Sequence, residues 1–423
     1  DIFQSEKVAN IAAIDERVKD FIRDENGDMW YIPGWYAMEY DDPWGGWTLD
    51  AWWIRKDLME ETGVTEEDLT TIEGMEEALR KFAQCKDENG KPVVPLSFIQ
   101  GSGQERIILS TFGLDTKAGV SRMPAVMKKG DDFVFLYDNP AYKEAYKWMN
   151  KMYNEGLIDL EATTIQAERF KEKLKGGQVA VMLTDAFSGE LFNGYEEDSV
   201  TFEFHPYACP KVEGVERGYT SYVDPNPKYM VFINNDTQKL NPALNFLNWV
   251  NEAEPIRQQE VNEGPKGVLW DFTDGERWSF DKEYVIERNS GDQARVDACT
   301  PQLYQFAAYS NKWYPWFEQD LKDVTKGQEL IQENCKYVGS ELQNHRSIQD
   351  VDRVKLNSES IVSENLESLN AVVKEYTAKM IMAKSDQEFE NAYSTFLAQL
   401  DMRADWEAMK EEWLAAYQEQ FGE

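Results

Sequence analysis

The segment from Asp28 to Leu58 carries the side chains best suited to recognise a ligand. Proline and glycine interrupt this segment, which indicates a loop, and loops run mostly on the surface. Aromatic side chains are costly to expose unless they line a groove. Rings beside Glu39, Asp41 and Asp42 suit a sugar, which has apolar faces and hydroxyl rims; the alternative is that individual rings pack the loop onto the core. Six of the chain's 14 tryptophans lie in this segment: Trp30, Trp35, Trp44, Trp47, Trp52 and Trp53.

Residue types that perform catalysis form no recognisable set. With 78 acidic residues, pairs such as Asp41 with Asp42, or Glu39 with Asp50, arise by chance, and only their separation in space could make them a glycosidase pair. The two histidines, His205 and His345, have no neighbours at metal or triad spacing. Phosphate-loop, serine-hydrolase and zinc-protease motifs are absent. The sequence therefore favours a binding protein without catalytic residues over an enzyme.

The composition disfavours several classes of partner and cofactor. A formal net charge of −34 over 423 residues disfavours nucleic acid and anionic lipid, both of which require Lys and Arg. The sequence contains no apolar run long enough to cross a bilayer. The turn Asp24–Asp28 lacks the full ligand pattern of a calcium loop, and the cysteines lack the spacing of a zinc site. We expect no metal and no cofactor. The cysteines are Cys85, Cys209, Cys299 and Cys335.

Strands alternate with helices along most of the chain, which predicts two α/β domains. Helix starts are indicated by a capping-box pattern at Thr70-Thr71-Ile72-Glu73, at Asn139-Pro140 and at Asn241-Pro242. One helix is predicted within residues 1–23. Beyond about Pro301 the chain is mostly helical, and its last helix has an apolar stripe that should dock on a domain face. The predicted strands are Trp52–Ile54, Pro95–Ile99, Phe133–Tyr137, Val179–Leu183 and Lys228–Ile233; the stripe is Trp406, Met409, Trp413 and Tyr417.

Several stretches, in the same order and at comparable spacing, are similar to one protein family. They are Gly27–Pro33, Trp53–Leu58, Asp87–Leu96, Tyr142–Glu161, Phe170–Met182, Asn241–Trp249 and Gly264–Gly275. The chain resembles the extracellular solute-binding proteins of ABC importers, and in particular the large lipoprotein type of Gram-positive bacteria, mostly assigned to oligosaccharides. Family members carry a further amino-terminal segment with a lipid-anchoring cysteine, so the first lobe of this chain is expected to be incomplete.

The resemblance implies a type II periplasmic-binding-protein-like α/β fold with two lobes, a hinge and a helical carboxyl-terminal region. The expected amino-terminal lobe is 1–137 with 225–295, and the expected carboxyl-terminal lobe is 138–224 with 296–423. An oligosaccharide would bind in the cleft between the lobes and pass to an ABC permease. The protein would be a monomer at the outer face of the cell membrane, or in the periplasm, attached only through the absent lipid anchor.

Candidate ligand-binding residues follow from these expectations. Aromatic rings stack on sugar faces, and carboxylates and amides bind the hydroxyl groups. A neutral or cationic ligand is expected, unless Arg55 or Arg106 turns inward. The alternatives are a glycoside-active enzyme, a surface adhesin that binds glycan, and a receptor for peptide or lipid. Trp270 could equally serve in packing, and Gln100 and Gln104 are the weaker candidates. The full set is Trp35, Tyr36, Trp44, Trp47, Gln100, Gln104, Asp185, Phe187, Tyr222, Asp224 and Trp270.

Overall fold

The structure, a computed structural model, divides the chain into two compact units. The first contains Asp1–Trp47 and Val223–Thr325, and the second contains Thr48–Tyr222 and Lys326–Glu423. The described residues are 8–14, 16–24, 26–34, 50–87, 89–100, 104–115, 126–130, 132–185, 202–218, 221–222, 229–234, 237–252, 254–281, 306, 320, 334, 337, 345–346 and 349–422.

Strands and helices are mixed along the described chain up to residue 280, and the described elements from Ile361 onwards are helices. The strands are β1 (Ile32–Gly34), β2 (Asp50–Arg55), β3 (Val94–Ser97), β4 (Val126–Lys129), β5 (Asp132–Phe135), β6 (Val179–Asp185), β7 (Phe204–Tyr207), β8 (Ser221–Tyr222), β9 (Tyr229–Val231), β10 (Trp270–Phe272), β11 (Trp278–Phe280) and β12 (His345–Arg346). The helices are α1 (Ala9–Ala12), α2 (Glu16–Ile22), α3 (Lys56–Thr62), α4 (Ile72–Phe82), α5 (Arg106–Thr111), α6 (Pro140–Asn154), α7 (Ala167–Lys175), α8 (Leu240–Val250), α9 (Pro255–Glu263), α10 (Ile361–Met382), α11 (Asp386–Ala404) and α12 (Trp406–Phe421).

A four-stranded sheet in the order β3-β6-β2-β7 forms the centre of the second unit. β6 is parallel to β3, while β2 is antiparallel to both β6 and β7. The apolar run Val179–Leu183 is fully buried, as expected for a strand covered on both faces. Trp52 and Trp53 of β2 are 0% and 1% exposed, so these two tryptophans of the aromatic segment belong to the core.

Local signals place the helices of the second unit. The Thr71 side chain accepts a hydrogen bond from the Gly74 amide at the start of α4, and Asn139 accepts one from Ala141 at the start of α6. Both interactions satisfy main-chain donors that the first turn of a helix leaves unpaired. The aromatic face predicted for α6 is buried, including Tyr142 and Tyr146.

The last helix docks through its apolar stripe, as predicted. Trp406, Met409, Trp413 and Tyr417 are all buried, and the Trp413 ring packs edge-on against those of Phe133 and Phe135 at 5.5 and 5.9 Å between centroids. The stripe therefore covers the β4–β5 hairpin. Among the helices that the structure describes, none is both long and apolar enough to cross a membrane.

The first unit has a smaller core, made chiefly by α1, α2 and α8. β1 pairs with β9 and β10 pairs with β11, both antiparallel. The single helix predicted within residues 1–23 is wrong in detail, because the chain forms two short helices instead. The predicted cap at Asn241 is also wrong: α8 begins at Leu240, and Asn241 lies inside its first turn.

The division into units differs from the predicted lobes. The boundary between Tyr222 and Val223 lies close to the predicted one at 224. The described residues between 50 and 137, expected in the amino-terminal lobe, lie in the second unit instead, where β2 and β3 are strands of the central sheet. Pairing with β6 places them there, and the sequence contains no local signal for that pairing.

Candidate functional site

Three strands of the central sheet end at one edge, here called the carboxyl edge. β3, β6 and β7 run in the same direction and end at Ser97, Asp185 and Tyr207, while the antiparallel β2 begins at Asp50. Asp50 and Asp185 are direct register partners. Ligands of open α/β sheets bind outside the carboxyl ends of the strands. This edge is therefore the candidate functional site within the second unit.

A bidentate ion pair marks the carboxyl edge. Arg106, the first residue of α5, donates from Nε to Asp50 Oδ2 at 2.8 Å and from Nη2 to Asp50 Oδ1 at 2.9 Å. The Asp50 side chain is 2% exposed and that of Arg106 is 24% exposed. Paired geometry of this kind is both strong and directional. It fixes the start of β2 relative to the helix that follows the loop after β3.

A second buried network lies beside the end of β3. The Lys173 ammonium donates to both carboxylate oxygens of Asp159, at 2.8 and 2.9 Å, and the Ser97 hydroxyl donates to Asp159 Oδ2 at 2.8 Å. The side chains of Lys173 and Asp159 are 5% and 4% exposed. The network therefore holds the last residue of β3 in place with partners that are themselves shielded from water.

The amides after β3 are used inside the protein. Gln100 is buried, and its Nε2 donates to Thr377 Oγ1 at 2.6 Å and to Lys374 O at 3.2 Å. Gln104 Oε1 accepts from the Ile99 amide at 2.8 Å. Both side chains shape the loop, and the Gln100 amide, predicted to bind a ligand, contacts α10 in this structure.

Cys209, which follows β7, is buried. Burial raises the pKa of the Cys209 thiol to about 12, with the negative charge of Asp50 as the next cause. Burial also raises the pKa of Tyr207 to about 12. Cys209 donates to Ile107 O at 3.5 Å. This thiol is structural, because only the thiolate is a good nucleophile or metal ligand.

Trp270 packs inside the β10–β11 hairpin. It is 1% exposed, its indole nitrogen donates to Gly264 O at 2.8 Å, and its ring packs edge-on against Trp278. In this structure Trp270 therefore has the packing role that the sequence left open, and it is not placed to stack on a ligand.

The remaining candidates are placed by the backbone or lie outside the described residues. Asp185 ends β6 at the carboxyl edge. Tyr222 lies in β8, where it is the register partner of Arg346 in a parallel pair with β12. The calls outside the described residues are Trp35, Tyr36, Trp44, Trp47, Phe187 and Asp224.

No catalytic or metal-binding cluster is evident in the described part of the chain. Within it, no group of three or more His, Cys, Asp or Glu side chains could hold a metal ion. His205 lies in β7 between the rings of Tyr207 and Tyr337, at 5.2 and 5.3 Å between centroids. Burial lowers its pKa, and the nearby Lys56 charge acts in the same direction. His205 is thus a packed, structural histidine, as its isolated position in the sequence indicates.

The ion pairs at the carboxyl edge are features that sequence reasoning did not find. Asp50 entered the sequence analysis only as half of a chance acidic pair, and Arg106 only as a cation that could turn inward. Arg106 and Asp50 are 56 positions apart, and no periodicity links them. The available signal was weak: an arginine just after a glycine-rich loop and an aspartate at the start of a strand.

Comparison with known proteins supports the fold. No family model matches the chain. The HMO-binding, ABC-transporter-associated solute-binding protein of Bifidobacterium longum infantis is 18% identical, with a TM-score of 0.69 over 98% of this chain and 82% of that one. The substrate-binding protein FusA of Streptococcus pneumoniae, solved with kestose, is 17% identical, with a TM-score of 0.61 over 97% of this chain and 83% of that one. The chain therefore has the two-lobe α/β fold of solute-binding proteins.

One curated sequence is also similar over a short region. The fructooligosaccharide ABC transporter substrate-binding protein FusA of Streptococcus pneumoniae serotype 4 is 31% identical over 118 residues. The match covers 27% of this chain, and the chain spans 21% of the length of that relative. Each of these similar proteins is described as a solute-binding or substrate-binding protein.

Proposed function

We propose that this chain is an extracellular solute-binding protein that captures an oligosaccharide and delivers it to the permease of an ABC importer. The observation that carries the proposal is the likeness of nearly the whole chain to solved carbohydrate-binding proteins of this type. The fold alone does not specify a ligand. The carboxyl edge supplies the second argument, because it lies where α/β sheets bind small molecules.

One of the residues proposed to bind the sugar lies at this edge. Asp185 ends β6 there, and Asp50 is the described residue at which the aromatic segment joins the sheet. Trp35, Tyr36, Trp44 and Trp47 would stack on sugar faces, and Asp185 would accept hydrogen bonds from hydroxyl groups. Recognition by a few apolar surfaces and a small number of placed polar groups is typical of small-molecule sites.

The proposal also covers the state and location of the protein. It acts without chemical change to its ligand, at the outer face of the cell membrane or in the periplasm. A lipid anchor would hold the protein at the membrane, and the protein would act as a monomer beside its permease. A division of the chain into two lobes, with one crossing near residue 224, is part of the proposal.

Ligand binding can be measured with the chain as it stands. A panel of neutral oligosaccharides is screened by thermal shift and tryptophan fluorescence, and each sugar is recovered and checked by mass spectrometry. At a hundredfold excess over its Kd, a ligand should add about 2.7 kcal/mol to the free energy of unfolding. A folded chain that responds to no sugar contradicts the sugar assignment, and recovery of a cleaved sugar contradicts the binding-protein assignment.

A matched pair of variants tests the aromatic segment. Trp47→Ala should lower the affinity at least tenfold, a loss of about 1.4 kcal/mol. Trp30→Ala is the control: Trp30 belongs to the same segment, is 66% exposed, and its indole donates to Asp24 at 2.8 Å. If the two variants bind the sugar with equal affinity, the aromatic segment is not part of the binding site.

A further inference from the structure

Strand β5 and helix α12 of the second unit form the two sides of an open groove. Its volume is about 320 Å³, which lies in the range of small ligand sites. Every residue that lines it belongs to the second unit and to the described part of the chain. The groove is therefore defined without reference to the first unit or to segments outside the described residues.

Acidic side chains outnumber basic ones along this groove. Its lining includes three carboxylates and one ammonium group, which gives a formal charge of −2: Asp138, Glu407, Glu411 and Lys410. Lys410 Nζ lies 2.7 Å from Asp138 Oδ2 and 2.8 Å from Glu407 Oε1. The exposed Glu411 carboxylate makes no hydrogen bond or ion pair with any residue that the structure describes. Glu411 is therefore available to a cation from another molecule.

Lys410 shows how the groove holds an ammonium group. Its Nζ lies 5.8 Å from the ring centroid of Phe135 and 5.7 Å from that of Trp406, within the range of cation–π attraction. Phe133 and Leu414 extend the apolar lining. Lysine and arginine lay their aliphatic stems on apolar surface while the charged end stays in water or finds a partner. The groove therefore suits a basic side chain that lies across its apolar lining and reaches its acidic rim.

The groove follows the edge of β5 that faces away from β4. Within the described chain β5 pairs with β4 alone, and of these two strands only β5 lines the groove. Lys129 and Asp132 flank a two-residue turn, and the flanking residues of such a turn are hydrogen-bonded to each other. Hydrogen-bonded and non-bonded pairs alternate along an antiparallel ladder, so Met127 bonds Val134. The main-chain N–H and C=O of Phe133 therefore point away from β4.

This edge of β5 can accept a further strand, because open strand edges pair readily with extended segments of other chains. A second copy of this chain is a poor occupant, since it brings a groove of the same sign and a formal net charge of −34. An extended segment that carries lysine or arginine complements both the local and the overall charge. Charge therefore selects a basic partner.

We infer that this groove binds an extended, basic segment of a partner protein, which adds to β5 as a further strand. Side chains of a strand point alternately to its two faces. Lysine or arginine at alternate positions faces α12, where one of them pairs with Glu411. Apolar side chains at the other positions lie beside Val134, on the opposite face. The inference goes beyond sugar binding and does not depend on it.

The test titrates the chain with a blocked hexapeptide in which lysine alternates with valine, followed by isothermal titration calorimetry. One peptide should bind per chain. Glu411→Lys should weaken binding at least about fivefold, because an exposed attraction becomes a repulsion. Glu419→Lys is the matched control: Glu419 is exposed in the same helix, lies outside the groove lining, and is about 12 Å from Glu411 at about 1.5 Å per residue. It should change the affinity less than about twofold, because salt screens charges at that distance.

Two modified peptides test the added strand. One carries N-methyl groups on its lysine amides and the other on its valine amides. Only one of these sets faces β5, so one peptide should bind at least about tenfold more weakly than the other. Hydrogen exchange of the Phe133 amide should slow when the unmodified peptide binds, whereas the Val134 amide, already bonded to Met127, should be unaffected.

Each contrary outcome has a distinct meaning. Equal weakening by Glu411→Lys and Glu419→Lys would make the binding a response to net charge and overturn the inference. Equal affinities of the two methylated peptides would overturn the added strand. If the unmodified peptide does not bind, the inference fails, and the acidic rim only protects an open edge. If sedimentation then shows a dimer that Glu411→Lys strengthens, the occupant is a second copy. The sugar screen is independent of these results, so the proposed function stands or falls separately.

Discussion

Replacing Lys173 by methionine should strongly destabilise the second unit. Lys173 pairs with Asp159 in a site where the two side chains are 5% and 4% exposed. Methionine keeps most of the aliphatic length and removes the charge. The Asp159 carboxylate would then keep two hydrogen bonds, from the Ser97 hydroxyl at 2.8 Å and from the main-chain amide of Glu161 at 3.0 Å.

The expected loss is about 3–5 kcal/mol of the free energy of unfolding, because removal of one partner leaves an uncompensated buried charge. The pair itself contributes much less, since the desolvation of two ions offsets most of their attraction. The double variant Asp159→Asn with Lys173→Met should therefore be more stable than Lys173→Met alone. The difference between the two variants measures the free-energy cost of the unpaired Asp159 charge, separately from the net stabilisation that the ion pair provides.

Urea unfolding followed by circular dichroism measures these differences, provided that the m-values agree among the variants. Lys171→Met is the matched control: it lies in the same helix, its side chain is 36% exposed, and its ammonium lies 3.5 Å from Glu168. It should change the free energy by less than about 0.5 kcal/mol. If Lys173→Met lowers the free energy of unfolding by less than about 1 kcal/mol, Lys173 and Asp159 do not form a buried ion pair.

Three further outcomes are expected. Trp413→Ala should cost about 3–5 kcal/mol in urea unfolding, because its ring fills the contact with Phe133 in the core. The main-chain hydrogen bond from Arg277 lowers the pKa of Asp274 to about 2. The ionised carboxylate should therefore stabilise the β10–β11 turn above the usual carboxyl pKa, and this stabilisation should be lost as the pH falls through about 2. The carboxyl NMR shift of Asp274, measured against pH, checks this. Cys209, with its pKa raised to about 12, should resist a thiol reagent at pH 8 until the chain is unfolded.

Much of the local structure was predictable because its signals are local. The apolar run of β6, the Asn139 cap and the stripe of α12 each lie within one element or at its boundary. Helix and strand periodicity and capping hydrogen bonds depend on residues a few positions apart, so the sequence contains them directly. Local signals also fail in places: Asn241-Pro242 resembles a helix start, but α8 begins at Leu240 and both residues lie in its first turn.

The sequence by itself determined the two α/β units, the type of most elements and the acidic character of the chain. Only the tertiary structure decided that β2 enters the second unit's sheet, that Trp52, Trp53 and Trp270 are buried, and that Arg106 is held by Asp50. Strand pairing and ion pairing join residues that lie tens of positions apart, and their free energy depends on burial. Burial and long-range pairing exist only once the chain has packed, so no local pattern encodes them.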